Sequence, residues 1–226
     1  MTRTGDALPV VPRAARVPLF VLAVAAAVTA VVLGILFHGH TLGTPLDESA
    51  YSALKGSIEP PVAYAVAWVI GSVGDPGPAA VLVLLVAFLF RRAGQTRFLV
   101  LVVAGPVGTG VLTTVAKPIA GRFINGDNLS YPSGHTAFVT SIGVVLGLFL
   151  AARWQLGRFA GTAVVLAPAL LFAVAMAWSQ VSDRVHYLSD TFGGFCVALA
   201  VVTATGAIVD TVLERVKPGR RPFPRP

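Results

Sequence analysis

Apolar runs of about twenty residues recur along this chain, and they restrict it to folds that can place such runs in a lipid bilayer. A helix needs about 20 apolar residues to cross the hydrocarbon core. Five runs approach or reach this length: 17–37, 98–116, 136–152, 159–178 and 190–212. Only 12% of the residues are charged, which is too few to solvate an ordinary globular surface. We therefore expect an integral membrane protein.

A sixth span is predicted at 77–90, although this run is short on its own. The apolar stretch 61–73 precedes it across the sequence GDPGP, whose two prolines and two glycines would break a continuous helix. We interpret the first stretch as an interfacial or re-entrant helix and the second as the span. The predicted fold is an all-α, integral membrane bundle of six transmembrane helices over 17–213. A cytoplasmic N-terminal segment (1–16) and a basic cytoplasmic tail (214–226) flank it.

The distribution of lysine and arginine predicts the orientation of these spans, because basic residues concentrate in cytoplasmic loops near span ends. With the N-terminus inside, most basic residues fall in inner segments: Arg3, Arg13, Arg16, Arg91, Arg92, Arg97, Arg153, Arg158, Arg215, Lys217, Arg220, Arg221 and Arg225. The outer segments hold Lys55, Lys117, Arg122 and Arg184. The Ala, Val, Gly and Arg richness is typical of a GC-rich bacterial genome, so a bacterial inner membrane is the expected location.

The net charge of +7 raises the question of a nucleic-acid partner. The basic residues lie in short clusters beside apolar runs, without the interleaved aromatic residues of a base-stacking surface. Anionic lipids and the membrane are therefore the expected partners, and nucleic acid is not.

Two polar loops interrupt the apolar pattern, and the predicted topology places both at the outer face. The first, KPIAGRFINGDNLSYPSGHTAF, lies between the third and fourth spans, and the second, WSQVSDRVHYLSDTFGG, between the fifth and sixth. Ser133, Gly134 and His135 open the fourth helix, where Ser133 can cap the first turn and free backbone N–H groups can hold an anion. The first loop thus predicts a phosphate-binding site.

The second loop places His186 four residues before Asp190. This spacing puts both on one face if the last helix begins near His186. A carboxylate that accepts a hydrogen bond from one ring nitrogen leaves the other nitrogen free to attack. Phosphoryl transfer also needs cations around the phosphoryl oxygens, and a second histidine can protonate the leaving group. Lys117, Arg122 and Arg184 are the candidate cations, and His135 is the candidate proton donor.

These residues resemble the phosphatidic acid phosphatase type 2 superfamily, whose pattern runs K-x6-R-P, then P-S-G-H, then S-R-x5-H-x3-D. The middle motif is intact at 132–135, and the last half of the third is intact as His186 and Asp190. Lys117 matches the lysine of the first motif. The order of the motifs and the six-span plan also fit, so the resemblance covers nearly all of 17–212.

The chain departs from this pattern at two arginines. Ile124 and Asn125 stand where the family has Arg-Pro, and Gln180 stands at the arginine of the third motif. Arg122 lies two residues before the first of these positions, and Arg184 lies four residues after the second. Four residues are about one helical turn, so Arg184 would return to a similar face if that stretch were helical. We expect both arginines to act as substitutes.

The resemblance implies a metal-independent hydrolysis in two steps that uses no cofactor. His186, oriented by Asp190, attacks phosphorus to give a phosphohistidine while His135 protonates the departing oxygen, and water then releases phosphate. The phosphoryl oxygens would be held by Lys117, Arg122, Ser133, Gly134 and Arg184. His38 and His40 after the first span could ligate a metal, but a site with two ligands lacks a third, so we expect an ordinary loop there.

A lipid phosphate is the expected substrate, because a site at the mouth of a helix bundle is reached laterally from the bilayer. Polyprenyl pyrophosphate, phosphatidic acid and phosphatidylglycerol phosphate are used by members of the family that the chain resembles. A lipid phosphotransferase and a catalytically silent lipid-phosphate-binding protein remain as alternatives, and the two missing arginines favour the latter. A transporter would carry ionisable groups mid-span, and these spans are nearly free of them.

Overall fold

The computed structural model describes residues 8–216, so Arg3 and residues 217–226 of the predicted basic tail (214–226) lie outside the described residues. Eight helices account for most of the described part of the chain. They are α1 (Arg16–Leu36), α2 (Pro45–Leu54), α3 (Pro61–Ser72), α4 (Pro76–Arg92), α5 (Thr96–Ala120), α6 (Gly134–Arg153), α7 (Arg158–Ser182) and α8 (Leu188–Val216). A two-stranded antiparallel hairpin, β1 (Phe123–Ile124) and β2 (Asn128–Leu129), lies between α5 and α6.

Five of these helices, α1, α5, α6, α7 and α8, are long and apolar enough to cross a membrane. They coincide with the five predicted spans, but α5 is longer than expected. It continues through Lys117 and Pro118 to Ala120, where Gly121 in the left-handed conformation ends it. Lys117 was predicted in a loop and instead lies in the last turn of a helix, because a proline near a helix end removes few backbone hydrogen bonds.

Helices α3 and α4 form a pair bent by 68° at a break of a few residues. The break falls at Val73, Gly74 and Asp75, as the sequence GDPGP predicted, and Pro76 begins α4 because proline needs no backbone donor at the first helical position. With this pair the bundle has up to six spans. The chain is therefore an all-α, multi-pass membrane protein.

Glycine lets α6 pack against α7 with almost no space between the backbones. A Cβ at Gly143 would lie 2.7 Å from the Cα of Ala169, and a Cβ at Gly147 would lie 2.5 Å from the Cα of Val165. Most of α6 is buried by its neighbours, whereas α1 and α4 expose many large apolar side chains outward. This pattern makes α6 the centre of the bundle and leaves the outer helices to face lipid.

At one end of the bundle, a buried carboxylate on α8 joins this helix to α5 and to the N-terminal segment. Asp210 accepts hydrogen bonds from the backbone N–H groups of Val10 and Val11 at 2.8 and 3.0 Å, and from Arg97 at 2.6 Å. The described part of the N-terminal segment therefore packs on the bundle. Helix α8 also continues past residue 214, where the tail was predicted to begin. The two polar loops lie together at the opposite end, because Arg97 lies near the start of α5 and Asp210 near the end of α8, whereas the loops adjoin the other ends of these helices.

Candidate active site

The two polar loops meet at the N-termini of α6 and α8. The N–H of Ser133 donates to the carbonyl of Asp190 at 3.0 Å, so the two motifs are joined through the backbone. Glycine again permits the approach, since a Cβ at Gly194 would lie 2.4 Å from the carbonyl oxygen of Ser133. As a result, the rings of His135 and His186 face each other with centroids 6.5 Å apart.

His186 lies just before α8, in a loop held by the carbonyl of Gln180, which accepts from the N–H groups of Val185 and His186. Its ring is buried, and Nδ1 lies 3.6 Å from Oδ2 of Asp190, which is an electrostatic contact longer than a hydrogen bond. Burial lowers the pKa of His186, and Asp190 offsets part of that shift. The imidazole is therefore held in its neutral form at neutral pH, with Nε2 as the nitrogen turned away from the carboxylate.

The predicted proximity of His186 and Asp190 is present, but it arises differently from the expected helical face. Helix α8 begins only at Leu188. Asp190 instead reaches back over the helix start, where Oδ2 accepts from the N–H of Tyr187 at 2.9 Å. This capping contact brings the carboxylate beside the histidine ring.

Arg122 is fully enclosed and holds Asp190 from the other side. One terminal nitrogen donates to Oδ1 of Asp190 at 2.6 Å, and the other donates to Oδ2 of Asp47 at 2.8 Å. The guanidinium is stacked between the rings of Phe37 and Tyr187, with its carbon 4.1 and 4.4 Å from their centroids. The structure therefore does not bring Arg122 to an open surface, so its predicted contact with phosphate would require one of these carboxylates to be displaced.

Asp47 is a site residue that the sequence analysis missed. Its carboxylate is buried, and it accepts from Arg122, from both the N–H and the hydroxyl of Ser189, and from both groups of Thr44. Burial alone would raise the pKa of Asp47, but the hydrogen bonds from Ser189 and Thr44 lower it below its ordinary value. The sequence signal that could have found Asp47 is the capping box that begins α2, formed by Thr44 and Asp47.

Ser133 caps α6 as predicted. Its hydroxyl accepts from the N–H of Thr136 at 3.3 Å, and Gly134 begins the helix. The side chain of Ser133 is fully buried, so the part of this helix start that a ligand can reach consists of the more exposed Gly134 and His135.

Asp75 is a second missed residue, and it contacts His135. Its Oδ1 lies 3.1 Å from Nε2 of His135, and both side chains are partly exposed. Asp75 lies at the break between α3 and α4. No sequence pattern connects Asp75 with His135 of the P-S-G-H motif, because 60 residues separate the two.

Lys117 and Arg184, the other two predicted cations, lie in different surroundings. The ammonium of Lys117 donates to the carbonyl of Leu129 at 3.0 Å, and its charge contributes to the lowered pKa of His186. Arg184 does not continue α7, because that helix ends at Ser182 and the backbone of Arg184 is left-handed, with φ of 53°. The expected return by one helical turn is therefore wrong.

Arg184 instead forms a paired contact with Glu48. Its two terminal nitrogens donate to the two carboxylate oxygens at 3.1 and 3.0 Å, and the guanidinium stacks on the ring of Tyr51. Hydrogen bonding to Glu48 raises the pKa of Arg184. The structure thus directs this side chain toward α2 and away from the two histidines.

A cleft of about 280 Å³ opens onto the two histidines. Its wall includes Asp75, Gln180 and the apolar face of α3, with Trp68 among the lining side chains. Of the described residues, no lysine or arginine lines this cleft. Gln180 occupies the wall at the position where the resembled family has an arginine.

A family model of the PAP2 superfamily matches residues 114–213. This range contains both motif loops together with α6, α7 and most of α8. Residues 114–213 belong to the PAP2 superfamily. The resemblance drawn from P-S-G-H and H-x3-D is thereby confirmed, and the family supports a membrane lipid phosphatase.

The fold is similar to that of a solved structure described as the first transmembrane PAP2 type phosphatidylglycerolphosphate phosphatase from Bacillus subtilis. The two are 22% identical in sequence, with a TM-score of 0.58, and the match covers 88% of this chain and 98% of that one. Among curated proteins, no significant match to this chain was found. The structural match extends the similarity of fold to the helices before residue 114, which supply Asp47 and Asp75.

Proposed function

We propose that this protein hydrolyses the phosphate or pyrophosphate group of a membrane lipid through a phosphohistidine on His186. The observation that supports this most directly is the arrangement of the two histidines. His186, backed by Asp190, faces His135 across a cleft with ring centroids 6.5 Å apart. A phosphoryl group between the rings would have a nucleophile on one side and a proton donor on the other.

In the first step, Nε2 of His186 forms a bond to phosphorus as the bond from phosphorus to the leaving oxygen breaks. His135 donates its proton to that oxygen, so the lipid alcohol or lipid phosphate departs neutralised by one proton. Burial keeps His186 neutral before the attack, and the Asp190 carboxylate stabilises the positive charge that the ring acquires.

In the second step, a water molecule attacks phosphorus, and His135 accepts a proton from that water. The bond between phosphorus and Nε2 breaks, which returns His186 to its starting form and releases inorganic phosphate. These two steps use only side chains of this chain, and they parallel other reactions that divide one difficult displacement into two easier ones.

The phosphoryl oxygens need positive charge and hydrogen-bond donors, and we assign these to Lys117 and to the start of α6 at Gly134. Free backbone N–H groups at a helix N-terminus form an anion site without any side chain. Arg122 contributes by holding Asp190 in place, with its guanidinium enclosed between two carboxylates. Arg184 remains a predicted phosphate ligand, for which the guanidinium would have to leave Glu48.

A lipid phosphate fits this site because the cleft is walled by α3, whose apolar side chains include the exposed Trp68. A hydrocarbon chain can then stay in the bilayer while the head group enters between the histidines. Phosphatidylglycerol phosphate, phosphatidic acid and polyprenyl pyrophosphate all have this form, and the solved PAP2 structure of similar fold is described as acting on the first of them.

We also propose that the site faces outward from a bacterial inner membrane. The support is the distribution of charge, because Arg13, Arg16, Arg97 and Arg153 lie at the end of the bundle opposite the motif loops. Attachment of a membrane-impermeant thiol reagent to single cysteines at each end, in a variant whose Cys196 is replaced by alanine, tests this orientation.

The decisive experiment measures release of inorganic phosphate from these three lipids by the purified full chain in detergent. The wild type is compared with the variants His186→Ala and His135→Ala. We expect the wild type to turn over at least one lipid and both variants to lose activity while still inserting into the membrane. Wild-type-like activity in either variant would exclude the assignment. Binding without turnover by the wild type would favour a silent lipid-phosphate-binding protein. This is the main rival, because no arginine lines the cleft among the described residues.

A further inference from the structure

We infer that Asp75 is the positioning residue of His135, so that each catalytic histidine of the proposed reaction has its own carboxylate. Oδ1 of Asp75 lies 3.1 Å from Nε2 of His135. This inference rests on the proposed function for the role of His135 as proton donor and acceptor.

The bend between α3 and α4 is fitted closely to the ring of His135. A Cβ at Gly74 would lie 2.3 Å from Cδ2 of His135 and 2.7 Å from Cγ, so only glycine leaves room for the ring. The backbone of the bend therefore covers one edge of the imidazole, and Asp75 binds the nitrogen at the end of that edge. Steric contact and hydrogen bonding together fix the ring orientation.

The Asp75 side chain does not make the capping hydrogen bond that is usual for an aspartate at the start of a helix. Asp75 is the N-cap residue of α4, where aspartate usually accepts from a backbone N–H of the first turn. Here it makes no such bond. Because residues 76 and 78 are prolines, Gly77 is the only one of the first three residues of α4 that has a backbone N–H. The carboxylate of Asp75 contacts His135 instead.

The two pairs use opposite ring nitrogens. Asp190 lies beside Nδ1 of His186 and leaves Nε2 free, whereas Asp75 binds Nε2 of His135 and leaves Nδ1 free. In the first step, Nδ1 of His135 gives its proton to the leaving oxygen, and in the second it takes a proton from the attacking water. The negative charge of Asp75 stabilises the imidazolium form of His135, which exists before His135 gives up its proton and again after it takes one from water.

The test compares substrates whose leaving groups differ in their need for a proton. Phosphatidic acid must release an alkoxide, which needs protonation, whereas p-nitrophenyl phosphate releases a phenolate that leaves unaided. We expect Asp75→Asn to lower kcat for phosphatidic acid by about 10-fold to 100-fold with little change in KM, because general acid catalysis contributes on this scale. For p-nitrophenyl phosphate the first turnover, read as the pre-steady-state burst of p-nitrophenolate, should slow by less than about threefold, because this leaving group needs no proton from His135.

Asp127→Asn is the matched control, because this exposed carboxylate lies in the turn between β1 and β2, outside the cleft, and makes no ion pair with either histidine in the described part of the chain. It should leave both substrates within about twofold of wild type, as surface substitutions usually do. Asparagine is also a good N-cap residue, so Asp75→Asn should keep the thermal stability of α4. Equal losses in phosphatidic acid turnover and in the p-nitrophenolate burst, or no loss in either, would overturn the inference.

A second readout does not depend on turnover. In the full chain labelled with ¹⁵N-histidine, Asp75→Asn should move the Nε2 resonance of His135 and leave that of His186 in place, with assignments taken from His135→Ala. An unchanged His135 resonance would overturn the Asp75 contact. Failure of the wild type to release phosphate from any substrate, with this shift present, would instead point to failure of the proposed function.

Discussion

Arg122 and Asp190 form an ion pair of 2.6 Å in which both side chains are fully buried. The pair couples the first motif loop to the second, since Asp190 also lies beside Nδ1 of His186. Asp47 completes the arrangement from α2 by accepting from the other terminal nitrogen of Arg122. The guanidinium thus joins three segments that are far apart in the sequence.

Replacing Arg122 should therefore destabilise the protein in addition to reducing its activity. Arg122→Met would leave two buried carboxylates without their partner, and breaking a buried pair of this kind costs about 3–5 kcal/mol. We expect a clear fall in the thermal unfolding midpoint of the purified protein in detergent.

Arg184→Met is the comparison for this experiment, because its pair with Glu48 is partly exposed and such pairs contribute only about 0–1 kcal/mol. An Arg122 variant that unfolds at the wild-type temperature but no longer binds phosphate would contradict the positioning role. It would restore the role of phosphate ligand that the sequence suggested.

The pH dependence of kcat/KM should report His186, which must be neutral to attack phosphorus. Burial lowers the pKa of His186, so the neutral form persists to more acidic pH than for a free histidine, and the acidic limb should fall below about pH 6.5. Asp190 raises the same pKa, so Asp190→Asn should move the limb further toward acid while also lowering the rate. A limb that moves toward alkaline pH in this variant would contradict the assignment.

The phosphohistidine itself should be trappable. With a substrate whose leaving group departs unaided, His135→Ala should still form the bond to His186 and should then hydrolyse it slowly, because no base activates the water. Rapid acid-free quenching after mixing with ³²P-labelled aryl phosphate should show label on the protein. His186→Ala should carry none, and label that persists in that variant would place the covalent bond elsewhere.

Gly194 should be intolerant of any side chain, because a Cβ there would lie 2.4 Å from the carbonyl oxygen of Ser133. Gly194→Ala should push the start of α6 away from α8 and separate the two histidines, with loss of most activity. Gly110→Ala is the control, since nothing lies within 4 Å of a Cβ at that position. Equal activity of the two variants would show that the close approach is not needed for the site.

The sequence alone determined the spans, the two histidines and their family. These follow from local properties: apolar length sets the spans, glycine and proline set the break before α4, and the P-S-G-H and H-x3-D motifs are contiguous in the chain. The capping of α6 by Ser133 was predictable for the same reason, because an N-cap bond joins residues that are three positions apart.

Only the tertiary structure decided what surrounds the histidines. The sequence offered Arg122 and Arg184 as cations but could not show that one is enclosed by Asp47 and Asp190 while the other turns to Glu48. Asp75 likewise lies 60 residues from the His135 that it contacts. Such pairings depend on how the helices pack, and the packing is set by close glycine contacts and buried ion pairs between segments that no local pattern connects.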